Sequence, residues 1–181
     1  MTREGCVGLA WGHGARLTSL ALVAAISLAV SLHGFACADV HADELRAHVT
    51  RVRDGDSMEM RRGSTTVRVR VFGVDAPERG QPWSSRARQF TAGLVGNREV
   101  VVRVKDRDRY GRTVGEVILT DGRNLGEELV RAGLAWHYRV FSNDPTLARL
   151  EADARAAGRG LWSDPHPTPP WEFRRAIRDG K

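Results

Sequence analysis

From Ala47 onward, apolar and polar residues alternate in short runs, the period of strands that turn one face to a core and the other to water. His48–Gly63, "HVTRVRDGDSMEMRRG", reads as a strand, a turn at Asp54-Gly55 and a second strand, because Asp-Gly readily adopts the backbone of a two-residue hairpin. A third strand follows in "STTVRVRVFGVDAPE": Val67, Val69 and Val71 share one face, and Arg68, Arg70 and Phe72 share the other. "REVVVRVKD" (Arg98–Asp106) and "TVGEVILTDG" (Thr113–Gly122) supply two more. Five short strands in one small domain predict a barrel, since closure removes exposed edges.

The period then changes. "PWSSRARQFTAGLVG" sets Ala87, Phe90 and Leu94 at helical spacing between Pro82 and a stop at Gly96. "NLGEELVRAGL" begins at a capping Asn124 and ends near Gly133, and "NDPTLARLEADARAAGRGLW" is capped by Asn143 or Asp144 ahead of Pro145. The prediction is an α+β fold, a five-stranded barrel with three helices in a single domain over residues 47–163. Residues 164–181 are Pro-rich and then basic, which favours extended polyproline-like chain before any final short helix, with Trp171 and Phe173 docked on the barrel or, as the alternative, forming a partner-binding tip.

The N-terminus belongs to a different class. Arg3 and Arg16 precede an uncharged run, Leu17 to Leu32, and "ACA" at Ala36–Ala38 supplies the small residues of a cleavage site. This is the layout of a secretory signal over residues 1–38, cleaved after Ala38, followed by a short extension over residues 39–46. The product would be secreted or periplasmic, monomeric and without stable membrane association. The alternative is an anchor formed by Leu17 to Leu32, a run shorter than the roughly 20 residues a spanning helix needs. Cys6 and Cys37 both fall in this segment, so the processed chain would carry no disulfide.

Charge narrows the partner. A net charge of +6 and a pI near 10.3 favour polyanions, although Arg-rich solvated faces give the same balance. Three carboxylates sit where strands turn: Asp56, Asp75 and Glu78. Singly, each is an ordinary turn residue; converging, they would repel one another and require a cation. Oxygen donors select Ca²⁺ or Mg²⁺, and the lack of clustered Cys and His ligands disfavours zinc. Arg70, inside its strand, could clamp a phosphate bidentately. "KDRDRYGRT" (Lys105–Thr113) gathers Arg109, Tyr110 and Arg112 around a turn, which reads equally as a solvated hairpin or as a phosphate grip.

Five motifs in order, "RDGDSMEM", "RVRVFGVDAPE", "DRYGRTVGEVIL", "GEELVRAGLAWHY" and "ARAAGRGLW", resemble the staphylococcal nuclease-like (thermonuclease) family over roughly Ala47 to Trp162. The resemblance implies an OB-type barrel and a Ca²⁺-dependent phosphodiesterase acting on DNA and RNA. It assigns Asp56, Asp75 and the Ala76 backbone carbonyl to the metal, Glu78 to the attacking water, and Arg70 and Arg112 to the phosphate. It also places Arg109 and Tyr110 on a terminal phosphate and Asp54 beside the metal without ligating it, and Tyr138 and Phe141 could supply its aromatic wall against the base and sugar. "WHYRVFSND" is offset by a residue from the family's aromatic wall, and "RGQPW" after Glu78 is short, so the rim of the cleft differs. A catalytically silent barrel that binds nucleic acid is the alternative; the complete set Asp56, Arg70, Asp75, Glu78 and Arg112 argues for activity.

Overall fold

A computed structural model describes residues 44–180. The apolar run Leu17 to Leu32, the cleavage point after Ala38 and both cysteines lie outside the described residues. In chain order the strands are β1 (Glu44–Val52), β2 (Ser57–Arg62), β3 (Thr65–Val71), β4 (Val74–Asp75), β5 (Glu99–Arg107), β6 (Thr113–Ile118) and β7 (Trp136–His137). The helices are α1 (Ser84–Val95), α2 (Leu125–Arg131), α3 (Pro145–Ala156) and α4 (Pro170–Arg178), with a 3₁₀ turn at Gly160–Ser163.

Five strands close into a barrel in the order β1-β2-β3-β6-β5, as the alternation predicted. Leu45, Ala47 and Val49 of β1, Val69 and Val71 of β3, and Val100 and Val102 of β5 point inward, while their neighbours face water. Leu125 and Leu129 of α2 complete the core, each fully buried. Side chains of this size contribute about 1.5–3 kcal/mol apiece when removed from water, which supplies the stability of a barrel whose described residues contain no disulfide.

The seam between β3 and β6 is parallel, pairing Val69 with Thr113 and Arg70 with Val114. It sets the exit of β3 beside the turn that enters β6, so Arg70 and Arg112 come from neighbouring ends of two strands far apart in sequence. A second, two-stranded ladder pairs Val74 with His137 and Asp75 with Trp136. That ladder fixes the backbone on which Asp75 is carried.

Three features differ from the sequence expectation. β1 begins at Glu44, ahead of Ala47, because Leu45 continues the buried alternation. Four residues, Arg53–Asp56, link β1 to β2 in place of a tight two-residue turn: the Arg53 and Asp54 N–H groups both donate to the Ser57 carbonyl, at 2.9 and 3.2 Å, and Asp56 turns inward. A fourth helix, α4, joins the three expected ones. Pro170 stands in its first turn, where a missing N–H costs nothing, and neither Gly nor Pro follows before Arg178.

Gly55 shows why the β1–β2 link needs its sequence. A Cβ there would lie 2.7 Å from the Ala76 Cβ and 2.8 Å from the Ala87 Cβ, and the Gly55 carbonyl accepts a 2.6 Å hydrogen bond from Thr91 Oγ1. The link is wedged between α1 and the turn after β4. Gly55→Ala is expected to destabilise the fold by about 1–3 kcal/mol through overpacking. Urea unfolding would measure it, and an unchanged midpoint would show that the wedge has slack.

Candidate active site

Asp56 and Asp75 are only 3% and 0% exposed, and carboxylates so buried have to be paired. Arg70 pairs both. Its Nη1 donates to Asp56 Oδ1 at 3.2 Å and its Nη2 to Asp75 Oδ1 at 2.7 Å, with a longer bond to the Val74 carbonyl at 3.4 Å. Asp56 then bridges the two turns: Oδ1 also accepts from Ser57 Oγ and Oδ2 from the Ala76 N–H, each at 2.8 Å. The face shared by Arg68, Arg70 and Phe72 therefore divides by depth. Arg70 is partly buried among carboxylates, whereas Arg68 is exposed and donates to the Tyr110 carbonyl at 2.7 Å, tying the β5–β6 turn to β3. Burial works against the charge on Arg70, but Asp56 and Asp75 outweigh it and hold the guanidinium above its ordinary pKa.

Glu78 joins this centre through a residue that the sequence reading did not single out. Arg174, on α4, donates through Nη1 to Asp75 Oδ1 at 3.1 Å and to Glu78 Oε1 at 2.6 Å, and through Nη2 to Asp75 Oδ2 at 2.8 Å. Burial opposes its charge as well, and bonds to Asp75 and Glu78 reverse the effect and raise its pKa. Gln81 buttresses the turn, accepting from the Glu78 N–H at 2.8 Å and donating to the Thr168 carbonyl at 3.2 Å. The helix that carries Arg174 was legible in the sequence, but not which of its arginines turns inward. Trp171, Arg174, Arg175 and Arg178 recur at helical spacing after a proline suited to a first turn.

These groups border a cleft of about 1090 Å³ that Arg70, Glu78, Arg109, Tyr110, Arg112 and Tyr138 help to line. Arg112 is oriented by Asp108, which accepts from its Nε at 2.6 Å and from the backbone N–H groups of Arg112 and Tyr110 at 3.0 and 2.9 Å. Burial would raise the Asp108 pKa, yet these bonds lower it, so the clamp stays ionised. With Nε engaged, the terminal nitrogens of Arg112 are presented for another acceptor. Gly111 allows this turn through its φ of 73°, and Tyr110 stands 59% exposed at the rim with Arg109 Nη2 bonded to its hydroxyl at 2.9 Å. The ring of Tyr138 stacks on Trp171, with centroids 5.5 Å apart and an interplanar angle of 8°, and meets Phe141 edge-on at 5.0 Å. Asp54 stands apart from Asp75 and Glu78, half-buried in the β1–β2 link; burial first and the nearby Asp56 second raise its pKa.

The donors suit a hard divalent cation, being carboxylate oxygens with a backbone carbonyl at Ala76. Among the described residues no three His, Cys, Asp or Glu side chains form a ready-made cage. All four carboxylate oxygens of Asp56 and Asp75 already accept hydrogen bonds. The set thus fits the cation in chemistry, provided that a guanidinium yields.

Comparison with known proteins follows the same residues. A family model described as Staphylococcal nuclease homologue matches residues 68–164. An Escherichia coli O157:H7 protein named an uncharacterized endonuclease is 42% identical over 138 residues, covering 76% of this chain and 87% of its own length. Protein ParB of Escherichia coli is 44% identical over 142 residues, 73% of this chain and 80% of that one. A Shigella flexneri protein named micrococcal nuclease is 38% identical over 169 residues, 88% of this chain and 93% of its own.

Proposed function

This chain belongs to the staphylococcal nuclease homologue family, and on that premise we propose that it is an exported, calcium-dependent nuclease that hydrolyses phosphodiester bonds in DNA and RNA. The observation that carries the reading is the junction of Asp56, Arg70, Asp75 and Glu78 at one end of the barrel, beside a cleft that Arg112 enters from the opposite turn. A phosphodiester resists water because it is already anionic and because charge grows on its oxygens as the new bond forms. Calcium held by Asp56, Asp75 and the Ala76 carbonyl would supply positive charge against the phosphate and its attacking water.

The protein's own groups do the rest. Arg70 and Arg112 present guanidinium groups to the phosphate oxygens, fixed beforehand by Asp75 and Asp108, so little reorganisation accompanies the reaction. Glu78, on the cleft lining, offers a carboxylate oxygen to accept the proton of a water. That water's oxygen attacks phosphorus as the bond to the leaving oxygen breaks. The exposed Tyr110 and the ring of Tyr138 offer aromatic faces along the cleft for a nucleic-acid strand.

The test is direct. Purified protein with calcium is expected to cleave plasmid, single-stranded DNA and RNA, and excess chelator is expected to abolish cleavage reversibly. Cleavage unaffected by chelator would remove the metal from the mechanism. No helix of the described residues is long and apolar enough to cross a membrane. Export rests on the Leu17 to Leu32 run and the Ala36–Ala38 site. Mass spectrometry of culture or periplasmic fractions is expected to find Asp39 at the N-terminus, and an intact Leu17 to Leu32 segment would indicate an anchor instead.

A further inference from the structure

Helix α4 lies beyond the residues matched by the family model, yet it reaches into the centre of the site. Trp171 meets Trp136 edge-on, with ring centroids 5.5 Å apart, and two further contacts reach the site. Arg174 covers both oxygens of Asp75 and one of Glu78, and Trp171 covers a face of Tyr138. We propose that Arg174 is a positioning residue that competes with the divalent cation for Asp75, so that docking of α4 and loading of the metal oppose each other. The inference rests on the nuclease reading above.

Charge and access identify Arg174 as the group that yields. Asp56, Asp75 and Glu78 carry three negative charges, against which Arg70 and Arg174 set two positive ones. A divalent cation added to both guanidinium groups overshoots the carboxylates by one unit. With Arg174 withdrawn the charges balance. The Arg70 side chain is 17% exposed and sits within a barrel strand, whereas that of Arg174 is 38% exposed on a terminal helix with Pro170 as its one buried residue. Local opening of so lightly buried an element costs far less than opening the barrel. Linkage makes the coupling reciprocal: what weakens α4 docking strengthens metal binding, and metal weakens docking by the same factor. Release of α4 also frees the face of Tyr138 that Trp171 occupies.

Calcium titration by calorimetry, with no nucleic acid present, separates this role from a merely structural one. Arg174→Gln is expected to bind calcium about 5- to 150-fold more tightly than the wild type, the range of ordinary coupling between sites. Arg174→Lys, which keeps the charge but loses the fork on Asp75, is expected to fall between them. In the wild type, calcium is expected to accelerate amide hydrogen exchange across Pro170–Arg178 without changing exchange in β1. Equal or weaker calcium binding by Arg174→Gln overturns the inference, as does exchange in α4 that calcium leaves unchanged or slows. Calcium-dependent cleavage accompanied by an unchanged Arg174→Gln affinity overturns this inference alone. Absence of calcium binding by all three proteins overturns it together with the calcium reading.

Discussion

Arg70→Ala is expected to cost the protein both its fold margin and its activity. The substitution leaves Asp56 and Asp75 deep in the structure without the guanidinium that joins them, and breaking a buried pair from one side typically costs about 3–5 kcal/mol. Total stabilities of domains this size are about 5–15 kcal/mol, so the unfolding midpoint in urea should fall by a large fraction of its value. Cleavage should drop at least about a hundredfold in the molecules that remain folded, because one preorganised donor to the phosphate is gone. Arg70→Lys separates the two effects. A single ammonium cannot fork to both aspartates, so activity should stay low while part of the stability returns. An unfolding free energy for Arg70→Ala within about 0.5 kcal/mol of the wild type, the range of ordinary surface substitutions, would mean that the two buried carboxylates do not depend on this arginine.

Glu78→Gln is expected to do the reverse, lowering cleavage by about 10²- to 10⁴-fold with little change in stability. The side chain is 36% exposed, and a glutamine oxygen can still accept the bond from Arg174. What disappears is the proton acceptor. Activity within tenfold of the wild type would assign proton removal to another group.

Much of this architecture was legible in the sequence because it depends on local rules. The alternation in "VTRV", "VRVRV" and "EVVVRV" fixes which residues face the core, and Asn124 and Asp144 mark helix starts through the caps that they form, accepting from the Gly126 and Thr146 N–H groups. The carboxylates were legible as turn residues. Their convergence was legible only through the family resemblance, because it follows from the parallel β3–β6 seam and from Asp56 bonding the Ala76 N–H across a separation that no local pattern encodes. Arg174 escaped for a related reason. In "EFRRAIR" every arginine looks equally solvated, and only the docking of Trp171 on Tyr138 and of Thr168 on Gln81 turns one of them inward. The length of the β1–β2 link was misjudged because Asp-Gly signals a turn without specifying that the next aspartate must point into the protein.

The order in which the barrel closes has a bearing on the host cell. β1 finds its second neighbour only when β5 arrives, pairing Glu44 with Arg103, and β3 finds its own only with β6. Arg70 of β3 and Arg112 at the entry to β6 therefore come together only once β6 has been made, and a shorter or unfolded chain has no assembled centre with which to attack a phosphate. Hydrolysis is a property of the finished fold alone. An unfolded chain is therefore harmless to the nucleic acids around it, and becomes hazardous only where it folds.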